Sequence, residues 1–440
     1  MSPALRVLRH TDFRRLFLGQ SASAIGDQVV IIALALYVTQ RTRSASDLGL
    51  ILAAQSVPLV ALLLFGGVWA DRWGGLGRRR IMIATDLVRA ALHAVLAGLI
   101  LAGGATVPEM VVIEIFFGAA RAFFQPAYSG LLPQTIPETL IPDARALAQS
   151  TANLAIVIGP ALGTLLVLGL GAGEAFALDA VTFGVSALLL ARVQPRERGA
   201  TPTPTPILRS LREGWGEVRS RPWVWVTIAV FTGAVLAGYA QWYALAPGIA
   251  RSLYGGVGVF GLLEAVAGVG AVVGALVALR WRPRRPLLVG LLLTFAWPLQ
   301  SILFALGVPL GVVVVSALLA GFGFSLFEIW WETALALHIP PRALSRVSAY
   351  DWMGSLALLP VGFAIAGPLA GAFGARSVLG VGAGLALIML CAALLPRSTR
   401  ELSGSTQQLH GDVAEERGGE AQVAHVDPLI GVVHKRRGLE

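Results

Sequence analysis

Several ionisable side chains stand inside long apolar stretches of this 440-residue chain. Asp27 lies about halfway along the first of these stretches. A charged side chain at the centre of a membrane-spanning helix costs about 2.5–3.5 kcal/mol on insertion scales, so it persists where it faces a wet cavity or a partner. We predict that Asp27 binds a proton or a cationic group and couples it to a conformational change. The alternative interpretation is a buried aspartate that bonds a neighbouring helix.

Glu328 and Glu332 are four residues apart, so a helix places both carboxylates on one face. Two neighbouring carboxylates repel each other when both are charged, so a proton can be shared between them. Trp330 and Trp331 stand between them, which favours the alternative that this segment lies at the membrane interface. Both interpretations stay open for Glu328, and the interface is preferred for Glu332.

Glu114 and Arg121 are seven residues apart and share one stripe of a predicted helix. They predict either an ion pair that holds the helix or a proton relay, and both interpretations stay open. Glu264 stands alone in a glycine-rich stretch and is a further candidate for the wall of a cavity. His93 and His338 have no ligand partners nearby in sequence, so we expect no metal site.

The sequence lacks the motifs of phosphate binding and of hydrolytic catalysis. It contains no P-loop, no zinc-protease motif and no Gly-x-Ser-x-Gly. We therefore expect neither an enzyme nor a cofactor. Energy should come from an ion gradient, with the proton as the simplest coupling ion.

The composition indicates an integral membrane protein. The chain is 56% hydrophobic and 13% charged, whereas soluble domains carry about 25% charged residues. Its net charge of +9 is spread over small arginine clusters between apolar stretches, so we exclude nucleic acid as a partner. Its single cysteine, Cys391, excludes a disulfide within the chain.

Twelve apolar stretches approach the roughly 20 residues that a bilayer-spanning helix needs. They are continuous and lack the alternation of a transmembrane barrel, so we predict an all-α protein with twelve transmembrane helices. Arginines concentrate in alternate connections, which predicts a multi-pass protein of the cell membrane with both termini cytoplasmic. The stretches are 16–39, 48–70, 81–103, 107–128, 148–169, 174–192, 223–245, 257–279, 287–306, 309–335, 351–373 and 377–395.

A polar segment, 193–222, divides the stretches six and six. It contains a Thr-Pro repeat and an amphipathic segment typical of a surface helix, so we predict a cytoplasmic linker. The linker separates an N-terminal half, 1–192, from a C-terminal half, 223–396. Residues 397–440 are polar and lack apolar periodicity, which predicts a disordered cytoplasmic tail.

Short sequence matches indicate that the two halves are repeats of one six-helix unit. The fifth stretch contains Gly-Pro-x-x-Gly, and so does the eleventh at a nearly equal offset from its neighbours. Such residues kink a helix and let it pack closely. The residues are Gly159, Pro160 and Gly163 in the fifth stretch and Gly367, Pro368 and Gly371 in the eleventh.

A short loop after the second stretch carries Gly67, Asp71 and Arg72. Together with twelve stretches, the central linker and the Gly-Pro motif, this loop resembles the major facilitator superfamily. The segments 26–28, 122–127 and 346–348 resemble its drug and siderophore exporter branch, which includes macrolide-efflux proteins and the enterobactin exporter. The resemblance covers residues 6–396.

The resemblance implies two halves that rock about a cavity at the membrane midplane. It implies proton-coupled export of an amphipathic small molecule such as a drug, macrolide or siderophore. It also implies that Gly67, Asp71 and Arg72 belong to a cytoplasmic gate, and we place the neighbouring Asp86 and Arg89 in the same gate. The expected partners are the small-molecule substrate, protons and the lipid bilayer, and a monomer is expected.

Two other functions stay open at this point. One is a lysophospholipid or lipid transporter of the same fold. The other is a membrane receptor or scaffold that does not transport. The Gly-Pro kinks and the intramembrane Asp27 argue against the second, because a static scaffold needs neither.

Overall fold

The computed structural model of the protein describes residues 6–72, 74–196, 207–281 and 283–402. Within these ranges the side chains of some residues are also outside the described part: 64–75, 142, 157, 207–211, 213, 279, 341–342, 345–346 and 349. All regular structure in the described ranges is helical.

Six long helices form the N-terminal half. They are α1 Thr11–Thr42, α2 Ala45–Arg72, α3 Gly74–Leu101, α4 Val107–Leu131, α5 Ile141–Gly169 and α6 Ala172–Ala191. Two short 3₁₀ turns, Leu132–Thr135 and Glu138–Leu140, join α4 to α5. A capping box at Thr106 and Glu109 begins α4, because each side chain bonds a free backbone N–H at the helix start.

Six further membrane helices form the C-terminal half, and three of them are interrupted. They are α7 Pro222–Ala234 and Ala240–Leu253, α8 Gly258–Arg280, α9 Pro286–Thr294 and Ala296–Leu306, α10 Leu310–His338, α11 Pro341–Ala357 and Leu359–Phe373, and α12 Ala375–Ala393. A π-helical turn, Val235–Tyr239, joins the two parts of α7. Such turns often occur at functional sites.

Eleven described helical segments are long and apolar enough to cross a membrane. Helix α4 is the twelfth, with 25 residues, and it packs closely on α2 because Gly118 faces the backbone carbonyl of Gln55. The ends of the bundle differ. One carries the first and last described residues, Arg6 and Leu402, and is called the terminal end here. The other, the loop end, carries the short connections 43–44, 102–106, 170–171, 254–257, 307–309 and 374.

Several helices extend beyond their apolar stretches at the terminal end. Helix α3 begins at Gly74, seven residues before the predicted start, and α11 begins at Pro341, ten residues before its predicted start. Backbone hydrogen bonding continues a helix into polar sequence, whereas hydropathy reports only the part that lipid requires to be apolar. The short helix Arg397–Glu401 likewise lies in the predicted tail, most of which is outside the described residues.

The two halves meet at the loop end through small residues. Gly49 of α2 packs on the backbone carbonyl of Phe363 in α11, and Gly367 of α11 packs on Ser46 of α2. The matching pair is α5 with α8, where Gly261 packs on Thr164. A six-helix repeat relates α2 to α8 and α5 to α11, so the two contacts are equivalent.

The hydrophobic cores show how the halves separate. At the loop end one continuous core contains Ile51 of α2, Val167 of α5, Phe260 of α8 and Phe363 of α11. At the terminal end each half has a core of its own. The halves therefore close on each other at the loop end, and the space between them opens toward the terminal end.

The glycines of the Gly-Pro motifs do not all pack alike. Gly159 and Gly163 of α5 pack on Gln28 and Val29 of α1 within the N-terminal half. Gly367 of α11 crosses to the other half, as described above. Gly371, which was expected to pack in the same way, has no neighbouring atom within 4 Å. Pro160 and Pro368 lie inside their helices as predicted.

The predicted surface helix of the linker is present as Ile207–Arg219. Its Val218 is buried in the core of the C-terminal half, and its Trp215 ring lies 5.7 Å from the ring of Tyr350. An ion pair between Arg221 and Glu217 (2.6 Å) follows it. The linker helix therefore docks on the terminal end of α11.

Candidate functional site

A buried ion pair lies in the middle of the N-terminal half. Asp86 and Arg89, both on α3, bond each other and are almost completely buried. The Ser186 hydroxyl of α6 donates to Asp86 Oδ2 (2.7 Å), and Gln20 of α1 donates its amide to Ser186 (2.8 Å). Three helices thus share one polar network, which fixes their register.

Two aromatic rings contact the arginine of this pair. The Arg89 guanidinium carbon lies 4.2 Å from the ring centres of both Phe124 and Phe183. A guanidinium between two ring faces is stabilised by cation–π attraction in a site that water does not reach. The predicted gate role placed Asp86 and Arg89 near the loop at the start of α3. The structure instead places Asp86 twelve residues into α3, about 18 Å along its axis.

The Asp86–Arg89 pair supports a prediction about stability. We expect Arg89→Leu to lower the free energy of unfolding by about 3–5 kcal/mol, because it leaves a buried carboxylate without its partner. The measurement is thermal unfolding in detergent. Arg221→Leu, which breaks a partly exposed pair at the surface, is the matched control and should change stability by less than about 1 kcal/mol. The double variant Asp86→Asn/Arg89→Leu should recover part of the loss; equal stability of Arg89→Leu and wild type would contradict the prediction.

A second buried pair joins α3 to α6. His93 Nδ1 lies 2.5 Å from Asp179 Oδ2, and both side chains are fully buried. The His93 ring stacks on Phe117 of α4 with 4.2 Å between ring centres, and the Thr182 hydroxyl reaches Asp179 Oδ1 at 3.3 Å. Sequence reasoning missed this pair. The available signals were an aspartate inside the sixth apolar stretch and a histidine seven residues after Asp86 on the same face of α3.

Glu114 does not pair with Arg121. Its Oε2 accepts a hydrogen bond from the Gln55 amide of α2 (2.7 Å), its side chain is fully buried, and its Oε1 has no partner. In the described part of the chain no ion pair joins Glu114 to Arg121, so the predicted helix-holding pair is wrong. Two helical turns separate them along the axis, and Gln55 lies closer on the facing helix.

Asp27 lies at the edge of this cluster. It is half-buried on α1, and it is close enough to Asp86, His93 and Asp179 to act on all three electrostatically. The preceding residue, Gly26, packs directly on Asp179. Asp27 is therefore the more accessible carboxyl of a group whose other members are buried.

The C-terminal half presents a different arrangement around Glu264 of α8. Its carboxylate is half-buried and accepts hydrogen bonds from Trp242 Nε1 and the Tyr243 hydroxyl, each at 2.7 Å. Tyr239, in the π-helical turn of α7, packs on Tyr243 with 4.7 Å between ring centres and an angle of 41° between the rings, and it is 38% exposed. The sequence showed no partner for Glu264, because both donors come from the preceding helix.

Arg121 and the Glu264 group face the same space. Tyr239 lies within electrostatic reach of both Glu264 in its own half and Arg121 in the other half. Arg121 is half-buried on α4. A guanidinium and a carboxylate therefore approach the space between the halves from opposite sides, with exposed tyrosine surface beside them.

Glu328 and Glu332 lie apart from these groups. Both are exposed on α10, whereas Trp330 and Trp331 beside them are buried in the C-terminal half. Trp331 Nε1 donates to Asp351 of α11 (2.9 Å). The carboxylates form an acidic surface toward the terminal end, and the structure does not bring them to Asp27 or Glu264.

Most side chains of the predicted gate loop lie outside the described part of the structure. Helix α2 ends at Arg72, and nothing is described of the side chains of Gly67, Asp71 and Arg72. Two arginines that follow the loop bond backbone carbonyls: Arg78 that of Gly130 (3.3 Å) and Arg79 that of Val193 (2.7 Å). They tie the start of α3 to the ends of α4 and α6.

Most of the chain matches a known protein family. Residues 16–355, well over half of the chain, match the Major Facilitator Superfamily. The chain belongs to this superfamily. The resemblance seen in the sequence is thereby confirmed, and so are the twelve-helix fold and its two six-helix halves.

Relatives of this superfamily protein include exporters. It is 27% identical over 395 residues to the multidrug efflux pump Tap of Mycobacterium bovis, covering 85% of this chain and 90% of that protein. It is 26% identical over 272 residues to macrolide efflux protein A of Streptococcus pyogenes, covering 60% of this chain and 65% of that protein.

Solved structures of the superfamily share the fold. The nucleoside transporter NupG aligns with a TM-score of 0.65 at 12% identity, over 87% of this chain and 98% of that one. A D-xylose-proton symporter aligns with a TM-score of 0.63 at 14% identity, over 91% and 98%. At these identities the likeness concerns the fold alone.

Proposed function

We propose that this protein is a proton-coupled exporter of an amphipathic small molecule and works by alternating access. The observation that carries the proposal is Asp27, a half-buried carboxyl at mid-membrane that borders a buried charge cluster. A carboxyl group inside the membrane lowers stability, so those that occur there commonly face a cavity and mark the path of an ion or a substrate. The relatives named as a multidrug efflux pump and a macrolide efflux protein support export of a drug-like compound.

The charges on the two sides of the central space support a midplane substrate site. Glu264 is held by two aromatic donors, and Arg121 approaches from the other half. Substrate sites of this superfamily's fold lie where the halves face each other. We place the substrate between Arg121 and the Tyr239–Glu264 group, where aromatic surface suits an apolar body and the charges orient its polar groups.

The distribution of arginines supports the orientation. The connections of the terminal end carry arginine clusters at 78–80, 192–221, 280–285 and 342–346, and the loop end carries only Arg41, Arg43, Arg251 and Arg376. Two of these four are engaged with backbone carbonyls at helix ends, because Arg251 bonds Thr39 and Arg376 bonds Ala305. We therefore propose that the terminal end is cytoplasmic.

With this orientation, the conformation of the structure is the one in which an exporter binds its substrate. The halves are closed at the loop end, which would face outward, and open toward the cytoplasm. An exporter in this state accepts its substrate from inside the cell. In the same scheme the loop with Gly67, Asp71 and Arg72 would close the cytoplasmic end in the alternate state.

The test is transport by the full-length protein in liposomes that enclose a pH-sensitive dye. Adding a transported compound from a panel that includes a macrolide should move protons in the opposite direction, and a proton ionophore should abolish the accumulation of that compound. Compound movement without any linked proton flux would reject proton coupling. Movement of a lysophospholipid in place of every drug-like compound would instead support the lipid transporter.

A further inference from the structure

Among the buried polar atoms of the N-terminal half that lack a hydrogen-bond partner, two belong to facing helices beside one aromatic cluster. One is His93 Nε2 on α3, and the other is Glu114 Oε1 on α4. Phe117 stacks on the His93 ring and lies three residues after Glu114, so Glu114 is on the stripe of α4 that faces His93. The two groups also interact electrostatically.

Unpartnered buried polar atoms are rare in folded proteins and call for a reason. Each costs about 1–3 kcal/mol when nothing bonds it. An unpartnered imidazole nitrogen and an unpartnered carboxylate oxygen on facing helices can both be satisfied by one proton and a bridging water molecule. Phe117, Phe176 and Phe183 surround the His93 ring, so bulk water has no broad access to it.

The charged groups around His93 also indicate that this cluster binds protons. Asp27 from α1, Glu114 from α4 and Asp179 from α6 act on His93 electrostatically. The other charged groups nearby act on these carboxyl groups or on each other: Asp86 and Arg89 from α3 itself and Arg121 from α4. Arg89 is bound to Asp86, and Arg121 acts on Glu114 without forming an ion pair with it in the described part of the chain. Three carboxyl groups therefore surround one imidazole, and protons bound to the cluster can balance the negative charge of its buried members, Glu114 and Asp179.

A continuous set of contacts links this cluster to the movement between the halves. Three consecutive residues of α1 form the first part of this set. Gly26 packs on Asp179, Asp27 is half-buried beside it, and Gln28 packs on Gly159 of α5. Farther along α5, Thr164 packs on Gly261 of α8 in the other half. These contacts connect Asp179 to the interface between the halves through two helices, α1 and α5.

We propose that His93, Asp179 and Glu114 form a buried proton-binding site that Asp27 loads from the central space. The proton arrives at Asp27 and passes to His93 Nε2, whose Nδ1–H is already donated to Asp179. The imidazolium then lies between two carboxylates, and returning the proton to Asp27 restores the neutral ring. The inference rests on the proposed proton coupling and assigns its storage site to residues of α3, α4 and α6.

The test compares His93→Gln with wild type in liposomes, and His338→Gln is the matched control. His338 lies at the end of α10, where its Nδ1 contacts the Ala334 carbonyl, outside the cluster. Two rates are measured for each protein: transport driven by a pH gradient and exchange of substrate for substrate. We expect His93→Gln to lower the ratio of driven transport to exchange by about tenfold or more, and to flatten its dependence on pH around the range where an imidazole titrates.

The outcomes separate this site from the general proposal. Retention of the wild-type ratio and pH profile by His93→Gln would overturn the site while leaving proton coupling intact. Absence of proton flux in the wild type itself would overturn the proposed function first. If His93→Gln fails to fold, Glu114→Gln, which can still accept the Gln55 hydrogen bond, replaces it, and an unchanged ratio in that variant overturns the site equally.

Discussion

Replacing Asp27 with asparagine is expected to yield a folded protein whose proton-driven export falls by about tenfold or more, a loss of roughly 1.4 kcal/mol or more in coupling. Asparagine has nearly the shape of aspartate but cannot bind and release a proton. Asp27 is the half-buried carboxyl beside a cluster in which Asp86, His93 and Asp179 are fully buried. In the proposed mechanism it is therefore the group through which protons exchange with the central space.

The measurement is export against a pH gradient together with substrate-linked proton flux in the same liposomes. Asp143→Asn is the control, because Asp143 lies in the first turn of α5, far along the chain from the cluster. Asp27→Glu keeps a carboxyl group at the site and should keep part of the coupled transport. If Asp27→Asn moved as many protons per substrate as wild type, Asp27 would not be the coupling group.

Replacing Gly367 with leucine is expected to stop transport by preventing closure of the loop end. Gly367 of α11 packs on the backbone of Ser46 in α2, so a side chain there has no space. Overpacking of this kind costs about 1–3 kcal/mol, and that cost falls only on the state in which α2 and α11 touch. The equilibrium should therefore shift by roughly 5- to 150-fold toward the state that is open at the loop end.

Gly371 offers a matched control one turn farther along the same helix. It has no neighbouring atom within 4 Å, so Gly371→Leu should transport as wild type does. The conformational shift is measured by introducing a cysteine near the loop end and following its reaction with a membrane-impermeant thiol reagent. Faster labelling is expected in Gly367→Leu than in Gly371→Leu. Equal labelling of the two variants, with equal transport, would show that this contact does not control closure.

The candidate site could be read from the sequence only in part. Asp27, Glu114 and Glu264 were found because a carboxylate in an apolar stretch is conspicuous whatever the fold. Their partners were not found, because hydrogen bonds to Gln55, Trp242 and Tyr243 cross between helices. A sequence predicts neighbours three, four or seven residues away on one helix, and it carries no direct record of which helices face each other.

The same limit explains the errors. Glu114 and Arg121 share a stripe of α4, but the nearest donor to Glu114 is on α2. Asp86 and Arg89 were placed near the start of the third span because hydropathy put that start at 81, whereas their assignment to the gate stays a prediction. The helix begins at Gly74, since hydrogen bonding does not stop where the apolar residues stop, and the pair lies in the interior.

By itself the sequence determined that the chain is a membrane protein of twelve helices in two repeated halves, with carboxylates inside the membrane. These properties follow from composition, length and periodicity, which lipid imposes on each helix separately. Only the tertiary structure decided that His93 meets Asp179, that Arg121 and Glu264 face one space, and that the halves close at one end. These are contacts between helices distant in the chain, and they depend on how side chains of different helices pack together.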